Sequence, residues 1–228
     1  MTVPYYVPPE QLIKDRADFA RRGAHRGRPA VVISAADGVL LAARNSSRAL
    51  RKLSEIYDQI AFAAVGKWSE FEALRVAGIR YADLRGYSYD RADVTARGLA
   101  GAYAQTISAA FTTDAKPLEV ELAVAQVGAE QQDDAVFHVT YDGTVSDESP
   151  WAVLGGAPSG AIKTLAAGWH PGLKLNQVAS LARAVLDPKG ELDGAGSAAA
   201  GSGGADFEVA WLDRAVPGRA FQRWERLP

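Results

Sequence analysis

Hydrophobic residues recur along the chain with two periods, one typical of β-strands and one typical of α-helices. Segments 30–35 and 39–43 are almost continuously apolar, and the Asp37-Gly38 pair between them favours a tight hairpin, because both central positions of such a turn adopt left-handed backbone angles. Segment 119–127 places apolar residues at every second position, which indicates another strand. Further strands are predicted at 60–65, 135–141, 144–145, 151–154, 207–212 and 219–224.

Five other stretches carry apolar residues at helical spacing. The first, 11–24, follows Pro9, a residue that suits the first turn of a helix. Ser69 and Glu72 have the spacing of a capping box at the start of a second helix, and Asp90 can cap a third. The last two helices are predicted at 158–167 and 176–186.

The order of these elements predicts the fold class. Strands come in blocks separated by pairs of helices, whereas a parallel sheet needs single helices that alternate with single strands. We therefore predict an α+β fold, a four-layer αββα sandwich in which two antiparallel sheets pack between helix pairs.

Composition indicates an ordinary globular chain. Its 228 residues suit one core, so 1–228 is predicted to be a single domain, with a mobile loop at 187–205 where Gly, Ala and Ser dominate. Lys and Arg total 25 against 27 Asp and Glu, and the net charge of −2 disfavours binding to nucleic acid.

Cysteine content and the first residues narrow the class further. The chain has no cysteine, which excludes disulfides, Cys-ligated zinc, iron–sulfur clusters and a thiol nucleophile. Its first ten residues lack the basic start and apolar run of a secretory signal, and no stretch reaches the roughly 18 apolar residues of a membrane span. We expect a cytoplasmic protein that binds no membrane.

Two glycine-rich segments do not match nucleotide-binding motifs. Gly155 and Gly160 have the spacing of a phosphate loop, but two apolar residues displace Lys163 and Thr164 from the positions that would reach phosphate. The glycines of 196–204 follow no predicted strand. No cofactor is predicted.

The side chains most often used in catalysis also form no motif. His25, His138 and His170 are far apart in sequence, so no two share the spacing that holds a metal on one helix face. Ser202 lacks the strand-to-helix context of a nucleophile elbow. We predict no catalytic and no metal-binding residue.

Several local strings carry a resemblance to a known family. They are Asn45-Ser-Ser-Arg48, Lys52-Leu-Ser-Glu-Ile-Tyr-Asp58, Phe62-Ala-Ala-Val-Gly66, Arg85-Gly-Tyr-Ser-Tyr-Asp-Arg91 and Lys116-Pro-Leu-Glu-Val-Glu121. With the hairpin and the paired helices, they resemble the proteasome alpha subunits of actinobacteria, which have the N-terminal-nucleophile hydrolase fold. The similarity runs from about residue 5 to residue 223 and leaves out the loop at 187–205.

The resemblance implies a subunit without its own nucleophile. Catalytic relatives use an N-terminal threonine, whose amine acts as the base, at the start of the first strand. Here that start is near Arg28, followed by Pro29, and Arg44 stands where catalytic subunits carry an acidic residue. A leading helix would hold Thr2 far from this point, and Thr144 falls in a predicted hairpin turn.

Two other interpretations stay open at this point. One is a catalytic N-terminal-threonine hydrolase that is exposed by processing at an unseen place. The other is a stand-alone sandwich that binds a small ligand.

The resemblance also gives the N-terminal region a role. The helix predicted within 10–25 would lie across the groove that holds substrate in catalytic relatives, with Leu12 and Phe19 as its buried face, and pack against neighbours in a seven-membered alpha ring on beta subunits. Residues 1–9 would form a flexible gating segment at the pore. The implied gate residues are Tyr5, Tyr6, Pro8, Pro9 and Phe19.

Activators of this family, ring-shaped ATPases and ATP-independent ones, insert C-terminal tails between adjacent alpha subunits. Lys52 matches the lysine that pairs with the tail carboxylate. Gly66 and Gly27 match pocket-wall positions, where a missing side chain leaves room for the tail. The resemblance thus implies a docking site at these three residues.

Overall fold

The computed structural model describes residues 8–47, 49–156, 158–188, 207–216 and 218–224. The helices within these ranges are α1 (Pro9–His25), α2 (Trp68–Ser88), α3 (Ala96–Thr113), α4 (Pro158–Gly168) and α5 (Leu175–Leu186). The strands are β1 (Ala30–Ala35), β2 (Gly38–Arg44), β3 (Leu53–Tyr57), β4 (Ile60–Gly66), β5 (Val120–Gln126), β6 (Ala135–Val139), β7 (Val145–Asp147), β8 (Trp151–Leu154), β9 (Phe207–Asp213) and β10 (Phe221–Trp224).

These strands form two five-stranded sheets in which every neighbouring pair is antiparallel. The first sheet has the order β10-β9-β2-β1-β8, and the second has the order β3-β4-β5-β6-β7. Helices α4 and α5 share a buried cluster with the first sheet, α2 and α3 share one with the second, and a third cluster lies between the sheets. The predicted α+β sandwich is confirmed.

Strand β5 shows why the sheets are buried on both faces. Val120, Leu122 and Val124 pack toward α2 and α3, while Ala123 and Ala125 belong to the cluster between the sheets. The alternation read from the sequence is therefore one of large and small residues, because a central strand covered by helices and by a second sheet has no solvated face.

One strand was not predicted. Strand β3 lies at the edge of the second sheet and its pairing with β4 shifts between Glu55 and Tyr57, so apolar side chains do not follow a regular period there. The predicted strand at 219–224 is shorter than expected and begins at Phe221.

Both predicted helix caps of the central pair are wrong. Lys67, without a side-chain cap, precedes α2, and Glu72 instead bonds Arg75 one turn later. Asp90 caps a one-turn 3-10 helix, and the side chain of Thr95 caps α3 by accepting from the backbone N–H of Gly98. Each capping residue is set by where the preceding chain turns, which the helical period alone does not reveal.

Most of the loop predicted at 187–205 lies outside the described residues, since the description stops at residue 188 and resumes at 207. Among the helices that the structure describes, none combines the length and apolar character that a membrane crossing requires.

Candidate functional site

The segment between α1 and β1 passes against the last residue of β4. A Cβ atom on Gly27 would stand 3.1 Å from the backbone nitrogen of Gly66. Gly66 has a φ of +108°, and a Cβ there would stand 2.0 Å from the carbonyl oxygen of Glu119. Gly66 therefore meets a conformational and a steric requirement for glycine, whereas at Gly27 the requirement is the close approach alone.

Lys52 reaches the same place from the start of β3. Its Nζ donates a hydrogen bond of 2.6 Å to the carbonyl oxygen of Arg28, the residue after Gly27. Its own carbonyl oxygen accepts from the backbone N–H of Ala64 at 3.0 Å, two residues before Gly66. The three residues predicted as a docking site are therefore brought to one edge of the sandwich.

The environment of Lys52 changes its acidity. Burial of the side chain lowers the pKa of Lys52 to about 8, the negative charge of Glu208 opposes this change, and the positive charge of Arg28 adds to it. Near neutral pH the side chain is mostly cationic, so it can form a charge-assisted hydrogen bond to a carboxylate.

Helix α1 is fastened to the body of the chain at several points along its length. Near its middle, the Arg16 guanidinium donates to the carbonyl oxygens of Ala110, Phe111 and Asp114 at the end of α3. These carbonyls lie where a helix leaves its last acceptors without intrahelical partners. Arg16 therefore supplies partners for the Phe111 and Asp114 carbonyls, whereas the Ala110 carbonyl also accepts from the backbone N–H of Asp114.

Two further contacts hold the next turns of α1 against the segment before β5. The Lys116 ammonium lies 5.6 Å from the centre of the Phe19 ring, within the range of a cation–π contact. Gly23 is buried so closely against Glu119 that a Cβ there would stand 2.1 Å from its Oε2. A larger residue at Gly23 would displace the Glu119 side chain.

The last residue of α1 meets a buried carboxylate. His25 Nε2 lies 2.9 Å from Oε1 of Glu121 on β5, and Oε2 of the same carboxylate accepts from the backbone N–H of Gly155 after β8. Glu121 thus joins α1, the second sheet and the first sheet. His138 Nε2 lies 3.9 Å from Glu121 Oε2, and burial lowers the pKa of His138 although the carboxylate opposes it.

The residues that α1 buries differ from the expectation. Within the chain, Leu12 is 53% exposed and Phe19 is 40% exposed, whereas the small residues Ala20, Gly23 and Ala24 are buried. Small residues face the sheet because the helix backbone approaches β4 and β5 closely. The large apolar side chains keep much of their surface accessible in the lone chain.

Of the predicted gate residues, Tyr5 and Tyr6 lie outside the described residues. Pro8 is the extended residue ahead of α1, Pro9 is its first residue, and both are exposed. Phe19 lies near the middle of the helix, nearly three turns after Pro9 and in contact with Lys116.

A family model described as "Proteasome subunit" matches residues 24–197, which is more than half of the chain. The chain belongs to the proteasome subunit family. Three relatives named "Proteasome subunit alpha" support this. Those of Xylanimonas cellulosilytica and Sanguibacter keddieii are 57% and 55% identical over 98% of this chain, covering 92% and 86% of the relative. That of Kineococcus radiotolerans is 52% identical over 98% of this chain and 94% of the relative. The resemblance to actinobacterial proteasome alpha subunits is thus confirmed.

In catalytic members of the proteasome family, the nucleophilic threonine lies at the start of β1. The residues there are Arg28 and Pro29, and the carbonyl oxygen of Pro29 accepts from the backbone N–H of Arg44 at the end of β2. Thr144 follows the Asp142-Gly143 turn between β6 and β7, where its N–H donates to the Asp142 carboxylate. The described part of the chain holds no group of acidic or histidine side chains arranged for a metal ion.

Sequence reasoning missed the buried carboxylates that organise this edge. Glu208 and Glu121 are each 5% exposed, and each joins segments that are far apart in the chain. In the sequence, each of these carboxylates is visible only as an isolated Glu inside an otherwise apolar strand. That pattern does not identify the residue with which the carboxylate forms a hydrogen bond.

Two cavities near the site are separate from Lys52. One of about 650 Å³ lies beside β3 and the end of α2, and one of about 440 Å³ lies between β3 and β10. Neither is lined by Lys52, Gly27 or Gly66, which are partly buried in the lone chain.

Proposed function

We propose that the chain is a non-catalytic subunit of the alpha ring of the proteasome core particle. It joins other alpha subunits in a seven-membered ring, stacks on beta subunits, limits entry to the proteolytic chamber and receives activators. It would work in the cytoplasm, in the degradation of intracellular proteins.

The observation that carries this proposal is the position of α1. Four residues separate the end of the helix from the start of β1, and the Arg16, Phe19, Gly23 and His25 contacts fasten it along its length. A chain fixed in this way leaves no free amine beside β1, which is what the N-terminal-threonine mechanism needs. This argues against the alternative of a catalytic hydrolase.

Exposed apolar side chains on α1 support assembly into a ring. Leu12, Ile13 and Phe19 are exposed large apolar side chains on one helix, at 53%, 57% and 40%. Because each is already about half buried, complete burial against a neighbouring subunit would contribute only about 1 kcal/mol each. The names of the three relatives and the exposed face favour a partner subunit at this position.

The edge formed by Lys52, Gly27 and Gly66 supports activator docking. Lys52 offers a cation, and the two glycines keep side chains away from the backbone beside it. The carboxylate of an activator tail is negatively charged, and the Lys52 ammonium can donate a charge-assisted hydrogen bond to it. A tail could then lie along the edge while the lysine holds its end.

The proposal is tested by expressing the chain with a beta subunit of the same family and measuring the size and activity of the assembly. We expect a stacked-ring particle that cleaves peptides only when the beta subunit carries its threonine. Mass spectrometry of the alpha chain from that particle should show an uncleaved N-terminal segment. Peptide cleavage by the alpha chain alone, or a processed terminus that begins with threonine, would overturn the non-catalytic assignment. A monomer that does not join the beta subunit would instead support a stand-alone binding protein.

A further inference from the structure

Glu208, the second residue of β9, is a buried carboxylate with four hydrogen-bond donors. Its Oε2 accepts from the backbone N–H of Lys52 at 2.9 Å and from Asn45 Nδ2 at 2.8 Å. Its Oε1 accepts from the backbone N–H of Leu53 at 3.3 Å and from Arg223 Nη1 at 3.2 Å. Both oxygens are therefore fully used.

These donors come from separate parts of the fold. Asn45 follows β2, Lys52 and Leu53 open β3, and Arg223 lies on β10. Asn45 Nδ2 also donates to the carbonyl oxygen of Leu50, which ties down the chain that leads into β3. Glu208, a residue of the other sheet, thus holds the backbone N–H groups of both Lys52 and Leu53.

Among the described residues, Glu208 and Arg28 are the charges that act on the Lys52 side chain. Glu208 on β9 supplies the negative charge, Arg28 ahead of β1 supplies a positive one, and Arg223 on β10 acts on Glu208 through their contact. Burial favours the neutral amine, so the carboxylate is the group that favours the ammonium.

We propose that Glu208 is the positioning residue of Lys52: it fixes the backbone that carries the lysine and supplies the charge that keeps the side chain cationic for an incoming carboxylate. This inference rests on the docking role given to Lys52 under Proposed function. It adds a residue 156 positions away in the chain to that site.

An electrostatic role and a purely structural role of Glu208 predict changes of opposite sign in the pKa of Lys52. A Glu208→Gln variant removes the negative charge, so the pKa of Lys52 should fall further below about 8. If Glu208 served only to hold the fold together, its replacement would loosen β3 and let water reach the lysine. The pKa of Lys52 would then rise toward its ordinary value.

Competitive labelling of amines with acetic anhydride measures this directly. The full chain, in its assembled complex with beta subunits, is labelled over a pH range of roughly 6 to 10.5, and the modified fraction of Lys52 is read by mass spectrometry. The midpoint should lie at about 8 in the unaltered protein and at a lower pH in Glu208→Gln. An unchanged or higher midpoint overturns the proposal.

An Arg223→Gln variant gives a second, opposite test, which remains available if Glu208→Gln does not fold. Arg223 partly neutralises the Glu208 carboxylate. Without Arg223 the carboxylate acts more strongly on Lys52, so the labelling midpoint of Lys52 should rise. A fall would count against the proposal. Glu72→Gln is the matched control, since Glu72 pairs with Arg75 and the midpoint of Lys52 should not move.

A separate measurement distinguishes the docking role of Lys52 from the positioning role of Glu208. Activator-stimulated protein degradation by the same complexes is followed as pH rises, and its decline in Glu208→Gln should begin at a lower pH than in the unaltered complex. If the labelling midpoint shifts and stimulation does not, the positioning role stands and the docking role of Lys52 fails. If stimulation is lost while the labelling midpoint stays in place, the positioning role is overturned.

Discussion

Arg16 Nη2 donates a hydrogen bond of 2.6 Å to the carbonyl oxygen of Phe111, which joins the first helix to the C-terminal end of α3. The negative end of the α3 dipole lies at the same point, so a guanidinium there is favoured by both the hydrogen bonds and the charge. The position of α1 thus depends on a helix almost one hundred residues further along the chain.

Arg16→Ala should weaken this attachment. Loss of charged hydrogen bonds of this kind is expected to lower the free energy of unfolding by about 1.5–3 kcal/mol, measured by urea denaturation of the alpha chain. In a complex with beta subunits, basal peptide hydrolysis should rise, because the proposed gating segment ahead of α1 would lose its anchor. Arg21→Ala is the control, since Arg21 is 54% exposed and pairs with Asp18 on the same helix. Equal effects of the two variants would contradict the anchoring role.

Removal of residues 1–8 should increase basal peptide hydrolysis by the complex. The segment leads into α1, whose first residue is Pro9, and its loss removes chain from the proposed entry without touching the contacts of Arg16. The measurement is the rate with a short fluorogenic peptide, with and without the segment, at equal amounts of beta subunit. Identical rates would show that the segment does not gate.

Lys52→Ala should separate activator-dependent from basal activity. Activator-stimulated protein degradation is expected to fall by about tenfold or more, because a charge-assisted contact of about 1.5–3 kcal/mol is lost at each subunit, whereas basal cleavage of short peptides stays unchanged. Lys163→Ala on the exposed face of α4 is the control. Stimulation that persists in Lys52→Ala would reject the docking role.

Gly66→Ala should destabilise the chain. Its φ of +108° and the 2.0 Å approach of a Cβ to the Glu119 carbonyl oxygen mean that the strain and the clash act together, at a cost of at least about 1–3 kcal/mol. Gly160→Ala is the matched comparison, because nothing lies within 4 Å of a Cβ at that helical position. Alanine there should add about 0.5–1 kcal/mol of stability, and thermal melting of both variants tests the contrast.

His138 should make the chain sensitive to acid. Burial lowers its pKa in the folded state, while the carboxylates of Glu121 and Glu148 oppose this and His25 adds to it. Below about 6.5 the unfolded chain binds a proton that the folded chain does not, so stability is full above that pH and is lost as the pH falls. Urea midpoints at neutral and acidic pH should show this loss.

In His138→Gln the dependence on pH should be flatter, whereas His170→Gln, at an exposed position, should behave like the unaltered chain. A loss of stability on acidification that is the same in all three proteins would mean that His138 is not its source.

The hydrophobic period located nearly every described element because burial of a regular face is a local property of a strand or a helix. The Asp37-Gly38 hairpin and the layered α+β arrangement followed from that pattern. The sequence around Arg28 and Pro29 likewise showed that no nucleophile opens β1. Strand β3 was missed because its edge position and bulge interrupt the period.

The site itself required the folded chain. Lys52 is 24 residues from the carbonyl of Arg28 and 156 from the carboxylate of Glu208, and His25 is 96 from Glu121. Strand order brings these pairs together, and their burial strengthens the electrostatic interaction between their charges. The sequence alone determined which residue types were present and which family they belong to. The tertiary structure decided which of them meet, because electrostatic and hydrogen-bonding effects act over a few ångströms of space rather than along the chain.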